Sequence, residues 1–290
     1  DHGCSERIPL LAQRDFYRKI ALAQLDAGIR EPLLVVHNTD SVQLPAVTFA
    51  THLFNGEHIR QHSSTILHDG KDILDTYDET MFASELGSLP FGLTNSDYHP
   101  QGTLLPEFGG GKEDPELYSF RTTYAMLAGT LPHGVIPSPS YCHHGLFDKL
   151  VRIYDGFGVP KATFYGYWRE PVKVLKGKDI FVSVYRHATE PKLLAVISHI
   201  GKGHDTQEIE LQFDLKKLNM PSALTSAVEQ FTKPDPDYAW MKPEQVTAYG
   251  LGPERAPLKL GEFGGTVESV QGDTLKMKLK YHTVALVELQ

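Results

Sequence analysis

Only two of the 290 residues are cysteine, Cys4 and Cys142. That count excludes a disulfide-stapled scaffold and makes two free thiols the expectation ahead of a single bridge. No apolar run reaches the roughly 18 to 20 residues that a membrane-spanning helix needs, and the opening DHGCSER has none of the features of a signal peptide. Long basic clusters are missing as well. With a formal net charge of -8 the chain lacks the basic patch that a phosphate backbone requires, so neither nucleic acid nor membrane is expected as a partner.

Chemical motifs are equally scarce. There is no CxxC, HExxH or GxSxG, which weakens the case for zinc, serine-hydrolase and cysteine-hydrolase chemistry. His2, Cys4, Cys142, His143 and His144 are suitable ligand types for zinc without a ligand spacing, so no metal and no other cofactor is expected. The glycines Gly109, Gly110 and Gly111 precede Lys112 but not in P-loop order, and read as a flexible lid. What the chain does have is ordinary globular composition, 41% hydrophobic and 22% charged, over a length sufficient for two domains.

The first 160 residues alternate between helical and strand patterns. From Arg14 the residues Phe16, Ile20, Ala23 and Ala27 form one helical stripe that Gly28 stops, with residues 5–13 as a connection. An apolar strand follows over 33–36, so helix and strand make the second half of a βαβ unit whose first strand would precede Asp1. A second strand is expected over 47–54, a helix over 78–86 with Met81, Phe82 and Leu86 inward, and a third strand over 92–95. The long loop over 96–113 leads to Asp114 and Pro115, an N-cap and first-turn pair for a helix bearing Leu117, Phe120, Tyr124 and Leu127. A fourth strand is expected over 133–136, and a last helix carries Phe147, Leu150, Val151 and Tyr154. Alternation on this period points to parallel strands in an α/β layer, with the count of half a (β/α)8 TIM barrel.

Beyond Tyr165 the texture changes to short period-2 segments: IFVSVYRHA, KLLAVISHI, QEIELQFDL, ALTSAVEQF, TLKMKLKY and HTVALVEL. These read as an antiparallel β-sandwich. The expected organisation is therefore a catalytic barrel portion over 1–162 and a C-terminal β-sandwich over 163–290, packed firmly because no linker separates them.

Functional groups gather where the apolar strands end. His37, Asn38 and Asp40 follow the first, Asn55-Gly56-Glu57 the second, and Asp97, Tyr98, His99 and Glu107 follow the third, while His133 belongs to the fourth. In a parallel sheet all these ends face one rim, where ligands bind. Glu57 is the candidate general acid/base and Asp97 its catalytic partner, since glycosidic hydrolysis needs two carboxyl groups about the scissile bond. The imidazoles, amide and remaining acids are candidate substrate-binding groups for sugar hydroxyls. Tyr165, Tyr167 and Trp168 stand at the junction of the two parts, where core packing is the expectation over sugar stacking.

The order HGCSERIPLLAQRDFYRKI, LLVVHN, FNGE, LPEF, LPHGVIP and DGFGVPKATFYGYW, closing on a sandwich, resembles the C-terminal portion of bacterial glycoside hydrolase family 123-like proteins. The resemblance implies a (β/α)8 catalytic barrel followed by an all-β domain, hydrolysis of a carbohydrate substrate, and a secreted or periplasmic location. It also implies that an upstream segment or partner chain completes the barrel. Characterised members act on N-acetylgalactosaminides by substrate assistance through an adjacent Asp-Glu pair. Here the only such pair, Asp78-Glu79, opens a helix and does not end a strand. A non-catalytic carbohydrate-binding or assembly protein on the same scaffold is the alternative.

Overall fold

A computed structural model describes residues 7–37, 45–54, 73–87, 94–97, 115–135, 143–203, 205–233 and 264–290. The first helix, α1 (Arg7–Asp26), begins earlier than the sequence pattern predicts. Pro9 falls in the first turn, where its missing N–H has no intrahelical partner to lose, so it does not break the helix. At the other end Gly28 adopts a left-handed φ of 86°, and its N–H reaches Leu25 O while Ile29 N–H reaches Gln24 O, at 2.9 Å each. This double closure is a Schellman motif, the stop that the glycine predicts. The expected stripe is not buried: Phe16 is 59% exposed. Instead Tyr17, on another face, packs with Leu34 against Val36, Val47, Ala50 and Leu53.

Three short strands follow, β1 (Val35–His37), β2 (His52–Phe54) and β3 (Thr94–Asp97), all parallel and in that order. The second is shorter than expected because residues 45–50 form turns, closed in part by Ala50 N–H on Val47 O. Burial of Val47 in that turn outweighs its strand preference. Thr51 Oγ accepts from Leu34 N–H and donates to Leu34 O, extending the β1–β2 pairing through a side chain. Among the described residues this parallel sheet has three strands and does not close into a barrel.

Helix α2 (Glu79–Gly87) starts at Asp78, whose Oδ1 accepts from Met81 N–H at 3.1 Å, an N-cap. Its Phe82 is fully buried against Gly129 of α3 (Pro115–Thr130), where a Cβ would come within 2.4 Å of the ring. Gly129 thus stands one residue before the end of α3, where the sequence places the stop, and its missing Cβ also admits the Phe82 ring. The expected fourth strand is a correction: Leu131–His133 is a 3-10 turn closed by Gly134 at φ 75°. Pro132 and Gly134 are turn residues on either side of His133, and that local chemistry overrides the apolar run. Helix α4 (His144–Phe157) is capped by His143, whose Nδ1 accepts from Leu146 N–H. Leu150 and Tyr154 point inward as expected, whereas Val151 is 37% exposed.

The remaining strands are β4 (Thr163–Tyr165), β5 (Val172–Lys176), β6 (Ile180–Arg186), β7 (Leu193–His199), β8 (Gln207–Phe213), β9 (Ala227–Glu229), β10 (Gly265–Gln271), β11 (Thr274–Leu279) and β12 (Val284–Leu289). All six predicted segments are strands, and β4, β5 and β10 are additions. They build two antiparallel sheets, β4-β6-β7-β12-β9 and β10-β11-β8-β5. Between the sheets lie Val182, Ala195, Ile197, Ile209, Leu211, Met277 and Val287. On the opposite face of the five-stranded sheet, Leu194, Val196 and Leu286 meet Leu127, Leu131, Leu146 and Leu150 of the helical segments.

The molecule is therefore layered, with helices α3 and α4, then the five-stranded sheet, then the four-stranded sheet. This explains the sequence texture. LLAVI in β7 is a continuous apolar run because both faces of the strand are covered, while QEIELQF in β8 alternates because one face meets water. Each fully covered Leu or Val side chain contributes about 1.5 to 3 kcal/mol.

Candidate functional site

The register of the parallel sheet sets the first candidate site. His37 pairs with Phe54, and Phe54 with Asp97, so the C-terminal ends of β1, β2 and β3 lie side by side. Adjacent strands are about 4.8 Å apart, which puts the His37 and Asp97 backbones roughly 10 Å from each other across Phe54. Glu57 follows Phe54 by three residues, a chain length that reaches at most about 10 Å. Asn38, Asp40, Glu57, Tyr98, His99 and Glu107 lie outside the described residues. The structure thus brings His37 and Asp97 to one rim.

His133 lies on the 3-10 turn after α3 and not at a strand end, and a cluster of rings forms around it. Its ring meets Tyr167 edge-on at 5.4 Å and lies nearly parallel to Trp168, 6.2 Å away and 19° apart. Burial pushes its pKa down to about 4, so the imidazole is neutral at physiological pH. Among the described residues the buried His133 Nε2 meets no hydrogen-bond partner. Tyr167 and Trp168 belong to a 3-10 turn, Tyr167–Arg169, that follows β4. Tyr167 N–H donates to Ser183 Oγ on β6 at 2.9 Å, and Ser183 Oγ–H donates to Pro132 O, which ties this turn to the one bearing His133.

The Tyr167 hydroxyl donates to Glu79 Oε1 at the start of α2. Burial, reinforced by the Glu79 carboxylate, raises the phenol well above its ordinary range. Asp78 and Glu79 thus divide their work, one capping α2 and the other holding Tyr167. Trp168 is 54% exposed, although the sequence favours packing for the aromatics of this stretch. Its indole lies over Gly166, where a Cβ would be 2.3 Å from the ring, and against Phe164. The sequence gives Glu79 no role beyond opening a helix, whereas the packing expected of Trp168 is met on one side of its ring. The Glu79 to Tyr167 contact spans 88 positions and leaves no local signal, but YGYW itself was visible.

Two other buried polar groups serve the fold. Glu229 accepts from the N–H groups of Phe231, Thr232 and Leu286, and Lys149 of α4 donates to the carbonyls of Phe231 and Lys233, so the 229–233 turn is gripped from both sides. An open groove of about 770 Å³ runs along edge strand β5 and is lined by Val172, Lys173, Gln212 and Phe213. It contains none of the residues singled out in the sequence. Among the described residues no group of three or more His, Cys, Asp and Glu is placed to hold a metal ion, and no helix is long and apolar enough to cross a membrane.

No protein-family model and no curated protein matches the chain. Among solved structures the chain is similar to a noncanonic maltogenic alpha-amylase, AmyB from Thermotoga neapolitana, with 9% sequence identity and a TM-score of 0.44. The match covers 94% of this chain and 58% of the amylase chain, so the chain spans less than two thirds of that protein's length.

Proposed function

We propose that this chain is a glycoside hydrolase, or the C-terminal part of one, of the family 123-like kind, with its chemistry at the rim where β1, β2 and β3 end. The observation that carries the reading is the His37–Phe54–Asp97 register. It supports convergence of the segments after each strand, since parallel strands deliver their C-terminal groups to one edge. Glu57 is the general acid/base and Asp97 the second carboxylate. They leave neighbouring strands, and adjacent strand ends are compatible with the roughly 5 to 9.5 Å between carboxyl groups that retaining and inverting mechanisms use. His37, Asn38, Asp40, Tyr98, His99 and Glu107 bind sugar hydroxyls about them, and His133 contributes from the turn after α3.

In this reading the three parallel strands are part of a (β/α)8 barrel completed by an upstream segment or a partner chain, and residues 163–290 form its sandwich domain. Glu57→Gln lowers turnover of an activated aryl glycoside by at least about 10²-fold, the scale of lost acid–base assistance. Asp97→Asn does the same. Wild-type turnover in both variants removes the rim from the mechanism. A second reading, a carbohydrate-binding protein without hydrolysis, is favoured by the open indole of Trp168; glycan binding with no turnover by the complete protein selects it.

A further inference from the structure

We infer that the end of the sandwich where the β5–β6 turn, the β7–β8 loop and the β11–β12 turn meet is an acid-sensitive latch, held shut by a neutral His199 and released when that imidazole takes a proton. This goes beyond the hydrolytic reading and does not rest on it.

His199, the last residue of β7, is 1% exposed, and His282, in the β11–β12 turn, is 2% exposed. Their ring centroids lie 6.4 Å apart. An imidazole shut away from water is held neutral by the cost of burying its charge, and a neutral ring has one nitrogen that donates and one that accepts. For His282 the donor is Nε2, which lies 2.7 Å from Gly201 O, because a carbonyl can only accept.

For His199 the assignment comes from Gln207 on β8. The Gln207 side chain is bonded at both ends to the backbone of Lys178: Oε1 accepts from Lys178 N–H at 2.8 Å and Nε2 donates to Lys178 O at 3.0 Å. That pair of bonds fixes which end of the amide is nitrogen. One hydrogen is then left on Gln207 Nε2, and His199 Nε2 is 2.9 Å away. Two donors cannot share that contact, so His199 Nε2 offers its lone pair and the ring carries its hydrogen on Nδ1. Nδ1 itself is buried without a bond of good geometry among the described residues, which makes the Gln207 bond the anchor of the ring. A proton arriving at Nε2 sets N–H against N–H and breaks it.

The same residues tie the turns together. His199 N–H donates to Thr283 O and Ile200 N–H to Asp179 O, so β7 ends gripped between the β5–β6 and β11–β12 turns. Gly201 lies against the Asp179 side chain, with no room for a Cβ. Burial lowers the His199 pKa below its ordinary 6.5; His282 also opposes a positive charge there, whereas the Lys280 backbone and the Asp179 carboxylate favour one without prevailing. Lys178, Lys202 and Asp205 on the same turns are exposed, Lys280 and Tyr281 are half-buried, and His204 lies outside the described residues. Once the latch opens, His199 regains its ordinary proton affinity. Closure is therefore fully supported above about pH 6.5 and weakens as pH falls from there toward the closed-state value, the direction set by a base whose pKa folding has lowered.

The test is made on the complete protein. Imidazole nitrogen chemical shifts at neutral pH place the His199 hydrogen on Nδ1. Amide hydrogen exchange, corrected for its intrinsic dependence on pH, reports opening at Lys178, His199 and Ile200, whose N–H groups this end of the sandwich holds. Below about pH 6.5 opening there accelerates toward about tenfold per pH unit, the slope of one proton taken up, while amides in the middle of β7 do not follow. His199→Gln, which cannot titrate, flattens that slope. Gln207→Glu keeps an acceptor for Lys178 N–H but turns the donor that faces His199 into an acceptor, so the slope flattens or changes sign. A hydrogen on Nε2, wild-type opening that ignores pH, or an unaltered slope in either variant overturns the inference. The chemical shifts and the wild-type slope need no substitution, and either can refute the latch should a variant fail to fold.

Discussion

Replacing Gly166 by alanine isolates the mount beneath Trp168. The backbone at Gly166 has φ -66° and ψ 149°, a conformation any residue adopts, so the substitution adds no backbone strain. What it adds is one methyl group at 2.3 to 2.5 Å from three carbon atoms of the indole. Carbon pairs rest near 3.5 to 4.0 Å, so the ring must retreat by about 1 Å or more. Because the indole is exposed, it can swing outward without moving the core, and the loss of stability stays within about 1 kcal/mol, the low end of overpacking. The contacts with Phe164, Tyr167 and His133 open at the same time. Gly166→Ala therefore shifts the tryptophan emission and barely moves the urea midpoint. Unchanged emission would refute the reasoning; a collapse of stability would show that the turn, and not the ring, had been hit.

Glu229 provides a pH test. Its burial raises the carboxyl above the ordinary 4.5, against the opposing pull of the three N–H groups. Between the two values the native state holds a proton that the unfolded chain has released, so this contribution is complete below about 4.5 and is lost as pH rises through the folded value. Glu229→Gln never ionises and lacks that dependence. The stability of wild type relative to the variant accordingly falls on going from acid to neutral pH in denaturant titrations; a rise would contradict the placement. At α2, Asp78→Ala costs about 1 kcal/mol by loss of the Met81 cap while Asp78→Asn costs much less, a contrast that urea denaturation measures and that equal midpoints would disprove.

Much of the fold was legible because its signals are local. The Gly28 stop, the Asp78 cap, the helix opened by Pro115 and six period-2 strands follow from adjacent residues. The misses are the places where distant partners decide. Gly129 does mark the end of α3, at Thr130, but that Phe82 fills the space beside it has no local signal. The segment around His133 reads as a strand because Val135 and Ile136 are apolar, yet Pro132 and Gly134 impose a turn. At the rim, the pattern of apolar runs breaking into His and Asp predicts convergence, and in the β1–β2–β3 pairing His37 and Asp97 end the two outer strands with Phe54 between them. The Trp168 cluster was out of reach because it joins α2, the turn after α3 and β4 through contacts that no spacing rule encodes.

The central strands β6, β7 and β12 of the five-stranded sheet are covered on both sides: one surface is shared with β8 and β11, the other with α3 and α4. Whichever half were expressed without the other would present a bare sheet of leucines and valines to solvent. Heat should consequently dismantle helices and sandwich in a single transition, and truncation at their sequence border should yield insoluble pieces in place of two tractable domains.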